Sequence, residues 1–137
     1  MDDNFTADLT NDLKALARLM ADVNAFLNPH SLSPKVVNAV DLVLEEALLN
    51  IIKYGYDDEG DHSIAVQIDV NSDDVAIRLE DDGRAFNPLT VPRQDRSKPA
   101  MERIEDGLGI HLVRNIMRSM SYRRNKDKNI FEIWVQR

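Results

Sequence analysis

An α+β fold is predicted for this 137-residue chain, with one mixed, mostly antiparallel sheet and its helices on one face as a two-layer α/β sandwich. Three observations predict it. Two stretches in the first half space their apolar residues at the helical period, and a third does so later. Two pairs of stretches alternate apolar and polar residues with only turn-forming residues between them. Strands that follow one another through short turns pair as antiparallel hairpins, and the helices must then bury their apolar stripes against the sheet.

The length suits a single domain over 1–137, and 43% hydrophobic with 30% charged residues is the balance of an ordinary globular chain. The chain has no cysteine. The opening MDDNFTADLTND is acidic, without the basic start and apolar run of a secretion leader. No apolar stretch approaches the roughly 20 residues of a membrane helix. These features lead us to expect a cytoplasmic protein that does not engage a membrane. A net charge of −7 argues against direct nucleic-acid binding. Arg114, Arg118, Arg123, Arg124, Lys126 and Lys128 form a local basic cluster, which reads as a solvated face.

The first helix is expected over about 8–27, because Leu9, Leu13, Leu16, Met20, Val23 and Leu27 recur every three or four residues. That placement leaves little room for an opening strand beyond Asn4-Phe5-Thr6. Ser33-Pro34 is a helix start, with a capping hydroxyl and proline at the first helical position. From there to about Tyr54, Val36, Val37, Val40, Val43, Leu44, Ala47, Ile51 and Tyr54 share a broad apolar face. Glu46, Asn50 and Lys53 form a separate polar strip along its border, and burial alone gives no reason for it.

Ile64, Val66, Ile68 and Val70 alternate as a strand, Asn71 to Asp74 form a turn, and Val75, Ile77 and Leu79 alternate again. Counting on by two turns Asp81 inward at the strand end, where an unpaired carboxylate is costly to bury. From about 87 to 106 the periodicity disappears into a proline-rich, charged loop, long enough to be a lid. Gly107-Leu108-Gly109 then opens a helix with apolar positions Leu112, Val113, Ile116, Met117 and Met120. A last hairpin joins Ser121–Arg124 to Ile130–Val135 around a turn over Asn125–Asn129.

Three polar features invite chemistry. Gly107 and Gly109 at a helix mouth offer free amides and a positive dipole end to phosphate oxygens, or they simply let the chain turn. Asp81 can accept a hydrogen bond from an exocyclic amine, with Gly83 permitting close approach of a ring, or it can belong to an Asp-Gly turn. Asn50 has an amide oxygen suited to a magnesium ion that keeps mostly phosphate and water ligands. Glu46, one turn earlier, can take a proton.

Glu46-x-x-x-Asn50 with Lys53-Tyr54-Gly55-Tyr56, then Asp81-x-Gly83-x-Ala85-Phe86-Asn87-Pro88, then Gly107-Leu108-Gly109-Ile110-x-Leu112-Val113 resemble, in order and separation, the N, G1 and G2 boxes of the GHKL ATPases. The resemblance spans roughly 33–137 and is greatest to the bacterial anti-sigma factor serine kinases. It implies the Bergerat ATP-binding fold, with Asn50 on magnesium, Glu46 as catalytic base and Asp81 on the adenine amine. Gly83 would shape the base pocket, Gly107 and Gly109 would cradle the phosphates, and Lys53, Ala85, Phe86, Leu108 and Ile110 would join them in binding the nucleotide. ATP and Mg²⁺ are the implied cofactors. A sigma factor and a STAS-type antagonist, phosphorylated on serine, are the implied partners, and a homodimer the implied assembly. Two departures stand out: Tyr54 where the family often has His, and Asp106 where many members have a further Gly.

Two other functions fit the same boxes. One is a nucleotide-gated binding module without phosphoryl transfer. The other is a detached histidine-kinase catalytic domain, which fits less well because His30, His62 and His111 lie in no acceptor-helix pattern.

Overall fold

A computed structural model describes residues 3–57, 60–85 and 117–137. Its elements run β1 (Asn4–Thr10), α1 (Leu13–Leu27), a single 3-10 turn (Asn28–His30), α2 (Pro34–Tyr54), β2 (Ser63–Val70), β3 (Asp74–Asp81), β4 (Met117–Asn125) and β5 (Lys128–Gln136). The five strands form one sheet in the order β1-β2-β3-β5-β4. Every neighbouring pair is antiparallel. The α+β class and the two-layer arrangement hold.

Two boundaries differ from expectation. The N-terminal segment is a strand through Thr10, and α1 begins at Leu13 rather than near residue 8. Leu9 continues the helical spacing by coincidence: it pairs with Ile64 in the sheet, and Phe5, Ala7 and Leu9 alternate against Ile68, Val66 and Ile64. Asp12 starts the helix, its carboxylate accepting from the Ala15 amide at 2.7 Å. Just before it, Asn11 is tied to His62 by its amide donating to the His62 carbonyl (3.1 Å) and its side-chain oxygen accepting from the His62 amide (2.9 Å). Leu13, taken as a core position, is 62% exposed; Leu16, Leu19, Val23 and Leu27 are buried.

The second difference is at Met117 and Met120, assigned to a third helix but lying in β4. The edge of β5 offers a ladder, and Met120, Tyr122 and Arg124 take it up opposite Ile133, Phe131 and Asn129. The rest of that expected helix, and the expected lid, lie outside the described residues. The β4–β5 turn is also tighter than expected. Only Lys126 and Asp127 are central, both with positive φ (48° and 66°), as a two-residue type I′ hairpin requires. Asn129 therefore belongs to β5.

Helix α2 conforms to its start and stop signals. Ser33 Oγ accepts from the Val36 amide at 3.3 Å, Pro34 takes the first position, and the Gly55 amide closes the last turn on the Ile51 carbonyl at 2.8 Å. Its buried residues are Val36, Ala39, Val40, Val43, Leu44, Ala47, Leu48 and Ile51. Tyr54, expected on that face, is exposed.

Those rows come from strand alternation. Ile64, Val66, Ile68 and Val70 of β2, Val75, Ile77 and Leu79 of β3, and Phe131, Ile133 and Val135 of β5 join the α1 and α2 stripes in one hydrophobic core. The β2–β3 turn is held by Asn71, whose side-chain oxygen accepts from the amides of Asp73 (3.0 Å) and Asp74 (2.9 Å). Among the described residues no helix is long and apolar enough to cross a membrane.

Candidate functional site

The core-facing surface of the sheet is apolar until its last row at one end. There β3 contributes Asp81, β5 contributes Asn129 and β4 contributes Arg124, with Asp81 opposite Asn129 and Asn129 opposite Arg124. Asp81 and Asn129 are only 3% and 1% exposed. The inward carboxylate that the strand count anticipated is thus real, and it has partners. Asp81 Oδ1 accepts from the Gly83 amide at 2.9 Å and from Asn129 Nδ2 at 3.0 Å.

Burial pushes the Asp81 carboxyl above its ordinary range. The Asn129 and Gly83 hydrogen bonds oppose that rise, the neighbouring Asp82 charge adds to it, and the Arg124 guanidinium lowers it. The balance of causes shows an acceptor kept in a dry place with one oxygen anchored. Among the described residues both hydrogen bonds to the carboxylate fall on Oδ1, so Oδ2 is the atom left for a ligand.

Asn129 is saturated. Its Nδ2 donates to Asp81 Oδ1 and to the Arg84 carbonyl (2.7 Å), and its Oδ1 accepts from the Tyr122 hydroxyl (2.5 Å) and Arg124 Nη1 (3.1 Å). The same Arg124 nitrogen donates to the Gly83 carbonyl at 2.7 Å. Three strands therefore grip the Asp81–Arg84 segment from below.

Helix α2 grips it from the side. The Arg84 amide donates to the Gly55 carbonyl at 2.8 Å, and Arg84 Nε donates to the Tyr54 carbonyl at 2.5 Å. A Cβ built on Gly83 would lie 2.4 Å from that Gly55 oxygen and 3.0 Å from Asp81 Oδ1, so a side chain there has no room. The C-terminal end of α2 and the Asp-x-Gly segment are one docked unit. Tyr56 and His62 stack beside it, ring centroids 4.0 Å apart and 10° from parallel, with His62 Nδ1 3.6 Å from an Asp82 carboxylate oxygen.

Glu46 and Asn50 are half-buried on α2 and Lys53 is exposed. At 1.5 Å rise per residue, Asn50 lies roughly 6 Å and Glu46 roughly 12 Å back along the axis from Tyr54. Ala85 is exposed, next to Arg84. Phe86, Gly107, Leu108, Gly109, Ile110 and Asp106 lie outside the described residues.

Asn129, Tyr122 and Arg124 belong to this arrangement and were missed as site residues, Arg124 having been counted in a solvated basic face. The signal was present. Counting back by two from Ile133 and Phe131 turns Asn129 inward, by the argument that places Asp81.

A buried carboxylate with one committed oxygen, beside a glycine kept bare by close backbone approach, fits the amino edge of a flat heterocycle. Comparison with known proteins bears on which one. The histidine kinase-like ATPase domain matches residues 9–134. The chain belongs to the histidine kinase-like ATPase family. Membership of this ATPase family implies ATP binding. Over 83 residues the ATPase domain is also 29% identical to an anti-sigma F factor of Oceanobacillus iheyensis, a match spanning 59% of this chain and 56% of that relative.

Magnesium, which such a site would use, finds no protein cage: no cluster of three or more His, Cys, Asp or Glu that could hold a metal occurs among the described residues. A single amide oxygen from Asn50 fits an ion whose other ligands are phosphate and water.

Proposed function

We propose that this ATPase domain is an anti-sigma factor and Mg-ATP-dependent protein serine kinase. It holds a sigma factor away from polymerase and phosphorylates a serine on a STAS-type antagonist. The observation that carries the nucleotide part is the buried Asp81 carboxylate, anchored through Oδ1 with Gly83 pressed against the end of α2. The likeness to an anti-sigma F factor supports the choice of partners.

In this reading Asp81 and Gly83 seat the adenine, with Ala85 and Phe86 at its rim. Helix α2 then runs away from the base beneath the phosphates, presenting Lys53, Asn50 and Glu46 in turn. Asn50 Oδ1 would hold Mg²⁺, which when bound neutralises phosphate charge. Gly107, Leu108, Gly109 and Ile110 supply backbone amides for the phosphates. Glu46 accepts the proton of the attacking serine hydroxyl. Phosphoryl transfer needs chiefly positioning and charge neutralisation, and residues on one rigid helix supply both. The protein acts as a cytoplasmic homodimer, with neither nucleic acid nor membrane as its direct partner.

The test is transfer from γ-labelled ATP to candidate antagonist domains by the wild type and Glu46→Ala. The variant is expected to bind ATP within about twofold of wild type while transfer falls by roughly 10²- to 10⁴-fold. Wild-type ATP binding without transfer to any antagonist would instead assign a nucleotide-gated binding module. Full transfer by the variant would remove Glu46 from the role of base.

A further inference from the structure

We propose that the outer edge of β1 is a docking surface for β1 of a second copy of this chain, the two strands running antiparallel about Ala7 so that two five-stranded sheets become one. The inference names the surface of the homodimer in the proposed function and rests on that part of it.

The sheet order leaves two edges, β1 and β4. They are not alike. β4 carries Arg123 and Arg124, and its ladder is irregular between Met117 and Ser119. Charge and irregularity are what keep an edge from pairing. β1 runs in unbroken register against β2 from Asn4 to Thr10, contains no proline, lysine or arginine, and has Asp8 as its sole ionisable side chain.

Which backbone groups this edge offers follows from its ladder. In an antiparallel pair, residues alternate between those bonded to the neighbouring strand and those whose N–H and C=O point away from it. The Val70 amide donates to the Asp3 carbonyl at 2.9 Å and the Asn11 amide to the His62 carbonyl at 3.1 Å, and both contacts continue the β1–β2 register. Asp3 and Asn11 therefore face β2, and Phe5, Ala7 and Leu9 between them do the same. Asn4, Thr6, Asp8 and Thr10 turn their N–H and C=O outward.

A second β1 presents the same residues, so an antiparallel ladder has to pair even-numbered positions with one another. Centring it on Thr6 leaves Thr10 unpaired and sets Leu9 against Asp3 of the second copy. Centring it on Asp8 leaves Asn4 unpaired and sets that carboxylate against its own copy, a like-charge pair. Centring it on Ala7 uses the whole strand: Asn4 pairs with Thr10 and Thr6 with Asp8, each twice by the two-fold symmetry. On the core side this register sets half-buried Phe5 opposite Leu9 and Ala7 opposite Ala7, which carries the apolar layer across the joint. On the other face each Asp8 carboxylate meets a Thr6 hydroxyl, which can donate to it.

Sedimentation of wild type and Thr6→Pro, with cysteine cross-linking, tests this. Thr6→Pro removes an outward N–H and leaves the β1–β2 bonds in place. It should fold by circular dichroism, bind ATP within about twofold of wild type, and raise the dimer dissociation constant at least about tenfold. The chain has no cysteine of its own. The two-fold sets the two Ala7 Cα atoms about 4.5 Å apart, within disulfide reach, so Ala7→Cys should give a covalent dimer on mild oxidation and Asp8→Cys should not. The cross-link decides the matter should Thr6→Pro not fold. A dimeric wild type unaffected by Thr6→Pro, with no cross-link in Ala7→Cys, would overturn the β1 joint and leave the homodimer to another surface. A wild type that stays monomeric up to about 0.1 mM would overturn both. Protection of the β1 amides from hydrogen exchange only when an antagonist domain is added would overturn the joint by assigning the edge to a partner's strand.

Discussion

Replacing Gly83 by alanine tests the docking of the Asp-x-Gly segment on α2 directly. The added Cβ would stand 2.4 Å from the Gly55 carbonyl oxygen. Relieving that clash to even 3.0 Å requires a separation of 0.6 Å, the difference between the two distances. Both obstructing groups are backbone or anchored carboxylate, so no flexible side chain can swing aside. If the segment backs away along the same line, the Arg84 amide, now 2.8 Å from that oxygen, is drawn to about 3.4 Å and its hydrogen bond is lost for practical purposes. Overpacking and a weakened bond to a buried carbonyl together should cost about 2–3 kcal/mol. In urea, with a slope of about 1.5 kcal/mol/M for a domain of this size, the midpoint should fall by roughly 1.5–2 M. The only tryptophan, Trp134 of β5, reports the transition by fluorescence. ATP affinity should fall by at least about tenfold, since the base edge moves with the segment. A Gly83→Ala midpoint within about 0.2 M of wild type would show that α2 and the 83–84 backbone are not locked together, and the account of the site would fail with it.

Two further outcomes follow from local geometry. Lys126 and Asp127 hold positive φ without glycine, so Lys126→Asn with Asp127→Gly should raise stability by about 0.5–1 kcal/mol in thermal melting; no gain would count against the type I′ assignment. Because the Asp81 carboxyl is raised in the folded state, its contribution is fully present below its unfolded value and lost as pH rises through the raised one. Nucleotide-free wild type should therefore lose stability relative to Asp81→Asn as pH climbs from about 4 toward neutrality, measured by urea midpoints. A difference that is flat with pH, or of opposite slope, would refute the burial assigned to Asp81.

Helix α2 and the β2–β3 hairpin were legible because their signals are local and agree with one another. Ser33 and Pro34 cap, Gly55 stops, and strict alternation runs from Ile64 to Leu79 on either side of the Asn71–Asp74 turn. The opening strand was hidden because Leu9 satisfies two periods at once: four residues before Leu13 on a helix, two after Ala7 on a strand. Asp12, the residue that separates them, acts through a hydrogen bond to Ala15 that also-acidic neighbours such as Asp8 could equally have offered. Met117 and Met120 are ambiguous in the same way, and only the open edge of β5, contributed from later in the chain, decides for a strand. Of the site, Asp81 was visible as an inward polar residue at a strand end. Asn129 was taken for a turn residue because asparagine beside Asp127 and Lys128 resembles turn chemistry, although the turn needs only Lys126 and Asp127.

What places Asp81, Asn129 and Arg124 together is strand register, and register is set by the core. Val75–Val135, Ile77–Ile133 and Leu79–Phe131 are cross-strand pairs on the buried face, and the next pair in the same ladder is Asp81–Asn129. A slip of one residue would send every one of those apolar side chains to the opposite face, so the hydrophobic pairs forbid it. The polar row inherits that restriction at no further cost. It has a cost of its own, since a carboxylate and an amide occupy places where aliphatic residues would continue the core, and their hydrogen bonds only roughly offset the loss of hydration. A fold selected for stability alone would extend the valine and isoleucine rows to the sheet's end. This one stops them a row short, on the three strands β3, β5 and β4, where the end of α2 also arrives. That coincidence of a polar row with a docked helix end is what makes the place a site rather than an imperfect core.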